Sequence, residues 1–214
     1  MTLKGDLELR KKRFHEDIPI EYKINPKGFP ELRFCLLDTS SSMALSPDND
    51  GNIGKTNIIT WGDNSKYHYA LLAWYGLLEY LKQNYLLKQT GISLGNFSNK
   101  TILGKELHEA KEIALNPQWG GTVLDLKKVK EIFEGNKMLL FTISDGEIGN
   151  WPSIKSSFIE NVKKHHYFHL QIGIRNDMSD DLEKEGLFVE FIKGNHDLAY
   201  KVIDLTDKMY RGAT

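Results

Sequence analysis

The sequence predicts an α/β domain built on a mostly parallel sheet. Two observations carry this. Short apolar runs alternate with longer segments whose apolar residues recur at helical spacing. Each apolar run then stops abruptly at a polar loop, as strands buried on both faces do. The composition agrees with a folded domain: of 214 residues, 40% are hydrophobic and 27% charged. That length suffices for one good-sized domain, or a domain with an extension.

Residues 1–31 read as an N-terminal extension, and 32–214 as the domain. The extension is charged and irregular, with Leu7–Asp17 as a short exposed helix. Pro19, Pro26 and Pro30 interrupt regular structure between that helix and the domain. Leu32–Leu37 is the first buried strand. An insert, 44–66, separates it from a long helix over Tyr67–Leu87, where Leu71, Leu72, Trp74, Tyr75, Leu78 and Leu81 are available for one broad apolar face. Ile92–Phe97 is a second strand and Thr101–Leu103 a short one after a turn. Lys105–Leu115 and Val123–Glu134 read as helices. Lys137–Ile143 is a strong buried run. A helix over Ser153–His165 comes next, with Pro152 suited to its first turn. Tyr167–Ile174 and Leu187–Ile192 complete six strands, and Asn195 is placed to cap a last helix reaching Tyr210.

Ligands of such sheets collect beyond the carboxyl ends of the strands, near the reversal of strand order. Three loops fall there. Asp38-Thr39-Ser40-Ser41-Ser42 comes after the first strand, and Ser144-Asp145-Gly146 after the Lys137–Ile143 strand. Gly120-Gly121-Thr122 lies before a helix. Together they present two carboxylates and several hydroxyls, the oxygen donors a hard cation such as Mg²⁺ prefers. Ser40 and Ser42 are two apart, so in an extended loop their hydroxyls point the same way. So few charged ligands leave a coordination position open to an incoming acid.

The ordered set Asp38-x-Ser40-x-Ser42, Thr122 and Asp145 resembles the metal-ion-dependent adhesion site of the von Willebrand factor A family, and its glycine contexts resemble intracellular prokaryotic members. The resemblance spans roughly residues 32–210. It implies a doubly wound, Rossmann-like sheet of six strands with one antiparallel edge, for which Thr101–Leu103 is the candidate. It places the first strand beside the Lys137–Ile143 strand, at the reversal. It implies that Ser40 and Ser42 bind Mg²⁺ directly, with Mn²⁺ or Ca²⁺ as alternatives. Thr122 would bind directly or through water, while Asp38 and Asp145 supply charge through water. It implies a non-enzymatic module that captures an Asp or Glu of a partner protein, in prokaryotic settings often beside an AAA+ ATPase. The chain departs from the family in the long 44–66 insert and in Ser41, where many members have glycine.

Competing readings are weighed on the same residues. Thr122 could be a helix N-cap, and Asp38 and Asp145 turn formers. A metal-assisted phosphate-ester hydrolase would use Asp38, but a second aspartate two residues on is replaced by Ser40, and Glu147 is the one nearby candidate base. An RNA-particle role lacks a separate RNA-binding domain. The net charge of −1, from 28 basic and 29 acidic residues, also disfavours nucleic acid. Arg10–Arg13 reads as a solvated face. Ser46–Asn52 resembles part of a calcium loop, but Asn57 stands where the bidentate Glu belongs, so it reads as a tight turn. His165, His166 and His169 diverge across a helix end and a strand start and read as surface and capping residues. Trp61 is expected to pack on its own domain. Trp119 and Trp151 either wall the metal cleft or simply bury area. The single Cys35 reads as a small buried hydrophobe, and no disulfide can form within the chain. No run approaches the ~20 apolar residues of a membrane span, and the N-terminus lacks a secretory apolar core. A cytoplasmic protein is the expectation.

Overall fold

The computed structural model describes residues 32–46, 61–84, 86–134, 137–146, 148–192, 198 and 200–205. Six strands form one sheet: β1 (Leu32–Asp38), β2 (Gly91–Phe97), β3 (Thr101–Gly104), β4 (Leu139–Ser144), β5 (His166–Ile172) and β6 (Phe188–Ile192). Their order is β3-β2-β1-β4-β5-β6. β3 pairs antiparallel with β2; the other pairings are parallel. The expected sheet is therefore present, with its antiparallel edge at β3 and its reversal between β1 and β4.

Among the described residues it is flanked by α1 (Lys66–Gln83), α2 (Leu107–Ala114), α3 (Leu126–Phe133), α4 (Trp151–Val162) and α5 (Asp177–Lys184). Residues 200–205 are helical again. The sheet separates two cores. Cys35 and Leu37 of β1 pack with Trp74, Leu77 and Leu81 of α1 and with Phe141 and Ile143 of β4. Phe34 and Leu36 face the other way, onto Val129, Phe133, Phe158 and Leu140. Alternation along one strand thus feeds both layers, which is why the apolar runs are continuous. Cys35 is buried, and that burial pushes its thiol up to about 12, leaving it inert as expected.

Several boundaries shift, each for a local reason. The long helix ends at Gln83 rather than Leu87; Leu87–Gln89 form a separate 3₁₀ turn. α2 begins at Leu107 because Glu106 and Glu109 close a capping box. α3 begins at Leu126, not Val123, because the Asp125 side chain caps it by accepting from the Lys127 N–H. Val123 is instead drawn into a bridge with Ser98. α5 was absent from the sequence expectation. Only eight residues long and rich in acids, it shows its signature in the Asn176–Ser179 capping box and in buried Met178 and Leu182. Leu7–Asp17, Arg10–Arg13, Asn57, Glu147 and Asn195 lie outside the described residues, as do residues 1–31 and 47–60.

Candidate metal centre

β1 and β4 are neighbours in parallel register, with Leu37 opposite Ile143, so their carboxyl ends deliver Asp38 and Ser144 side by side. Ser144 donates to Asp38 Oδ2 at 2.6 Å, and the Ser40 N–H donates to Asp38 Oδ1 at 2.8 Å. Asp38 is fully buried, and both its oxygens are engaged. Burial, helped by the charge of Asp145, pushes its carboxyl up to about 6 against the opposing pull of these hydrogen bonds.

Past Asp38 the chain does not stay extended, contrary to the expectation for Ser40 and Ser42. Ser40 is extended, but Ser41–Ala44 close a 3₁₀ turn with Met43 buried beneath. The turn still brings the two hydroxyls together: Ser40 Oγ and Ser42 Oγ are 3.0 Å apart. Ser42 Oγ in turn donates to Asp145 Oδ1 at 2.9 Å. Asp38, Ser40, Ser42 and Asp145 therefore form one cluster.

Within the described residues, Thr122 is linked to the cluster only through Gly120 of its loop. The Ser41 N–H donates to the Gly120 carbonyl at 3.0 Å, and Ser40 bridges Gly120. The Thr122 carbonyl accepts from the Gly149 N–H at 2.6 Å. Among the described residues no hydrogen bond ties its hydroxyl to the other four. Nor is it a helix N-cap, since Asp125 holds that position.

The loop carrying Thr122 is clamped by residues that sequence reasoning passed over as a turn. Ser98 Oγ accepts from the Gly120 N–H at 2.9 Å and donates to the Gly121 carbonyl at 2.8 Å. Asn99 Oδ1 accepts from the Gly121 N–H at 2.7 Å. A Cβ at Gly120 would stand 2.2 Å from the Asn99 amide, so glycine is what permits this approach.

Lys66 carries no sequence signal of a role here. Its ammonium donates to Asp145 Oδ2 at 2.6 Å, with the lysine and aspartate side chains only 13% and 2% exposed. Its neighbours hold it in place. Ser65 caps α1 by accepting from the His68 N–H, and the Lys66 N–H donates to the Leu45 carbonyl. Tyr67 is fully buried, donates to the Ala114 carbonyl, and stands edge-on to both Trp61 and Trp119, each with ring centroids 5.2 Å away. Trp61 thus packs on its own domain. Trp119 lies beside the first metal loop, its N–H on the Thr39 carbonyl, with a left-handed backbone at φ 55°. Trp151 belongs to the opposite core and donates to Asp181.

The donor set fits a hard cation. Octahedral Mg²⁺ with oxygens at about 2.1 Å places adjacent ligands about 2.9 Å apart. The Ser40–Ser42 and Ser42–Asp145 contacts are hydrogen bonds, and they hold three oxygens close enough to share one such ion. The Lys66 ammonium shows independently that this locus draws positive charge. No group of three or more His, Cys, Asp or Glu suited to a metal occurs among the described residues. The three histidines accordingly do not form one. Contrary to a surface reading, two of them are buried: His165 accepts from the Met138 N–H, and His169 lies within β5 beside Gln171.

No family model matches this sequence, and no curated protein matches it either. Solved structures do. Over 87% of this chain, the pilus adhesin SpaC from Lactobacillus rhamnosus GG superposes with a TM-score of 0.61 at 13% identity; the match takes in 31% of that chain. The vWF domain of the type V pili tip protein Mfa5 from Porphyromonas gingivalis gives 0.54 at 10% identity, covering 87% of this chain and 97% of that one. Proximal thread matrix protein 1 from the mussel byssus gives 0.54 at 14%, covering 85% and 48%. This chain thus spans about a third of SpaC and nearly all of the Mfa5 domain. At these identities the likeness establishes the fold, which is von Willebrand factor A-like. None of the described helices is long and apolar enough to cross a membrane.

Proposed function

We propose that the chain is a protein-binding module that captures a partner carboxylate through a divalent cation held at Asp38, Ser40, Ser42, Thr122 and Asp145. The observation that carries the reading is the hydrogen-bonded Ser40–Ser42–Asp145 chain of oxygens, close enough to share one ion. Ser40 and Ser42 would hold the ion directly, with Thr122 as a further hydroxyl. Asp38 and Asp145 would supply charge. When bound, Mg²⁺ would offer an open, electrophilic position to an Asp or Glu side chain.

The protein's own residues do the rest. Ser144 and the Ser40 N–H fix the Asp38 carboxylate, and Ser98 and Asn99 hold the Thr122 loop against the cluster. With both oxygens of Asp38 engaged, nothing favours it as a nucleophile, so the hydrolase reading gains no support. An AAA+ ATPase as partner rests on the sequence resemblance alone. The matched structures bear pilus and byssus names.

The test is a Mg²⁺ titration of the wild type beside Ser40→Ala and Asp145→Ala, together with partner capture in Mg²⁺ and in EDTA. Both substitutions should abolish metal binding and capture alike. Capture that survives intact without the metal would end this reading.

A further inference from the structure

We infer that Lys66 is a tethered cation that occupies Asp145 when no metal is bound, and that it must withdraw for a divalent ion to load. The inference rests on the metal reading above and adds a residue that sets the affinity of the site.

Three observations carry it. The ammonium sits 2.6 Å from Asp145 Oδ2, while the other oxygen of the same carboxylate accepts from Ser42. A divalent ion held by Ser42 and Asp145 would therefore face a positive charge across a single carboxylate, in a site from which water is largely excluded. Like charges so placed repel strongly. Second, Lys66 is the first residue of α1, and the first turn of that helix contains no acidic residue. A cation there opposes the helix dipole. Its position is unfavourable for the helix and favourable only toward Asp145. Third, the chain on either side is fixed, by the Ser65 cap and by buried Tyr67. The ammonium is thus presented to Asp145 by a rigid base, and its withdrawal falls to the lysine side chain or to the start of α1. Metal loading and the position of that helix end become coupled.

The experiment measures Mn²⁺ affinity by the loss of free-ion EPR signal for the purified chain, Lys66→Gln and Lys66→Arg. The wild type should bind weakly. Lys66→Gln should bind tighter by roughly tenfold or more, the order expected for removing one partly screened charge. Lys66→Arg keeps the charge and should stay near the wild type. Melting curves accompany each titration: without metal Lys66→Gln should melt below the wild type, and Mn²⁺ should raise its melting temperature by the larger amount. Equal affinities for wild type and Lys66→Gln overturn the inference and leave the metal site standing. Absence of binding in all three proteins overturns the metal reading, and the inference with it. Should Lys66→Gln not fold, the wild type decides alone, through the ¹⁵Nζ resonance of Lys66, identified by its loss in Lys66→Arg. Saturating Mg²⁺ should shift it away from its ion-paired position. A resonance unmoved at saturation overturns the inference.

Discussion

Ser144 is the last residue of β4, and its buried hydroxyl orients the buried acid of the site. Its hydroxyl is 2.6 Å from Asp38 Oδ2. Replacing it with alanine leaves a buried carboxylate short of one charge-assisted hydrogen bond, a loss of about 2 kcal/mol. Urea unfolding of Ser144→Ala should show that loss, accompanied by weaker Mg²⁺ binding. His169 makes a separate prediction. Gln171 Oε1 already accepts from Asn176, so the His169 proton sits on Nε2 and Nδ1 is left bare in the interior. Burial pulls the folded pKa down to about 4, from an ordinary value of 6.5. Above pH 6.5 both folded and unfolded chains carry neutral histidine, and stability is complete. As pH falls from there toward 4 the unfolded chain takes up the proton first, and stability is lost, by about 3 kcal/mol over the window. The gap in unfolding free energy between wild type and His169→Gln should change by that amount between pH 7 and 4; a gap independent of pH would refute it. At this scale the sequence was partly legible. Asp38, Ser40, Ser42 and Asp145 form an ordered pattern and could be found. Lys66 carries no pattern, and Ser144, although it stands in the Ser144-Asp145-Gly146 motif, shows no role toward Asp38 in the sequence; both roles become visible only when α1 and β4 are brought to the same end of the sheet.

At the level of elements, the strands were legible because a strand buried on both faces reads as a continuous apolar run. β1 and β4 came out within one or two residues of their expected limits. Helix starts were less so, because the capping residue and not the apolar pattern decides them: Asp125 moves the start of α3 past Thr122 and frees that residue to lie in a loop. α5 escaped because its few buried residues are scattered among acids. Packing between elements gives a further prediction. Gly104 closes β3, where a Cβ would stand 2.6 Å from the Ala110 backbone nitrogen. That neighbour is helix backbone and cannot swing away. Gly104→Ala should push α2 off the edge of the sheet and cost about 2 kcal/mol, in the range of core overpacking. Equilibrium unfolding with an unchanged midpoint would show that the edge yields freely.

For the whole molecule, the site lies at the seam between two cores, so the proposed ion would stabilise the native state as a ligand does. Mg²⁺ at about a hundred times its dissociation constant should add about 2.7 kcal/mol to the unfolding free energy. In Ser40→Ala the same addition should leave the melting temperature unmoved; an equal rise in both would assign the effect to non-specific binding. The mostly parallel α/β architecture was readable from the alternation of runs and helices, while the strand order and the antiparallel edge were expected from the resemblance to the von Willebrand factor A family. The conformation of the Asp38–Ser42 loop was not readable, since the Ser-x-Ser spacing fits an extended segment with both hydroxyls on one side as readily as the 3₁₀ turn that brings them to 3.0 Å. β1 adds a constraint of its own. Its residues go alternately to the two layers, Phe34 and Leu36 to one, Cys35 and Leu37 to the other. The strand therefore measures length in steps of two. Deleting one residue from it would exchange the layers for every side chain upstream of the cut, or else turn Asp38 away from Ser144. Deleting two would preserve the faces and draw the acid back by about 7 Å. Chain length in β1 is thus quantised, and variation in the site has to be accommodated in the loops beyond it.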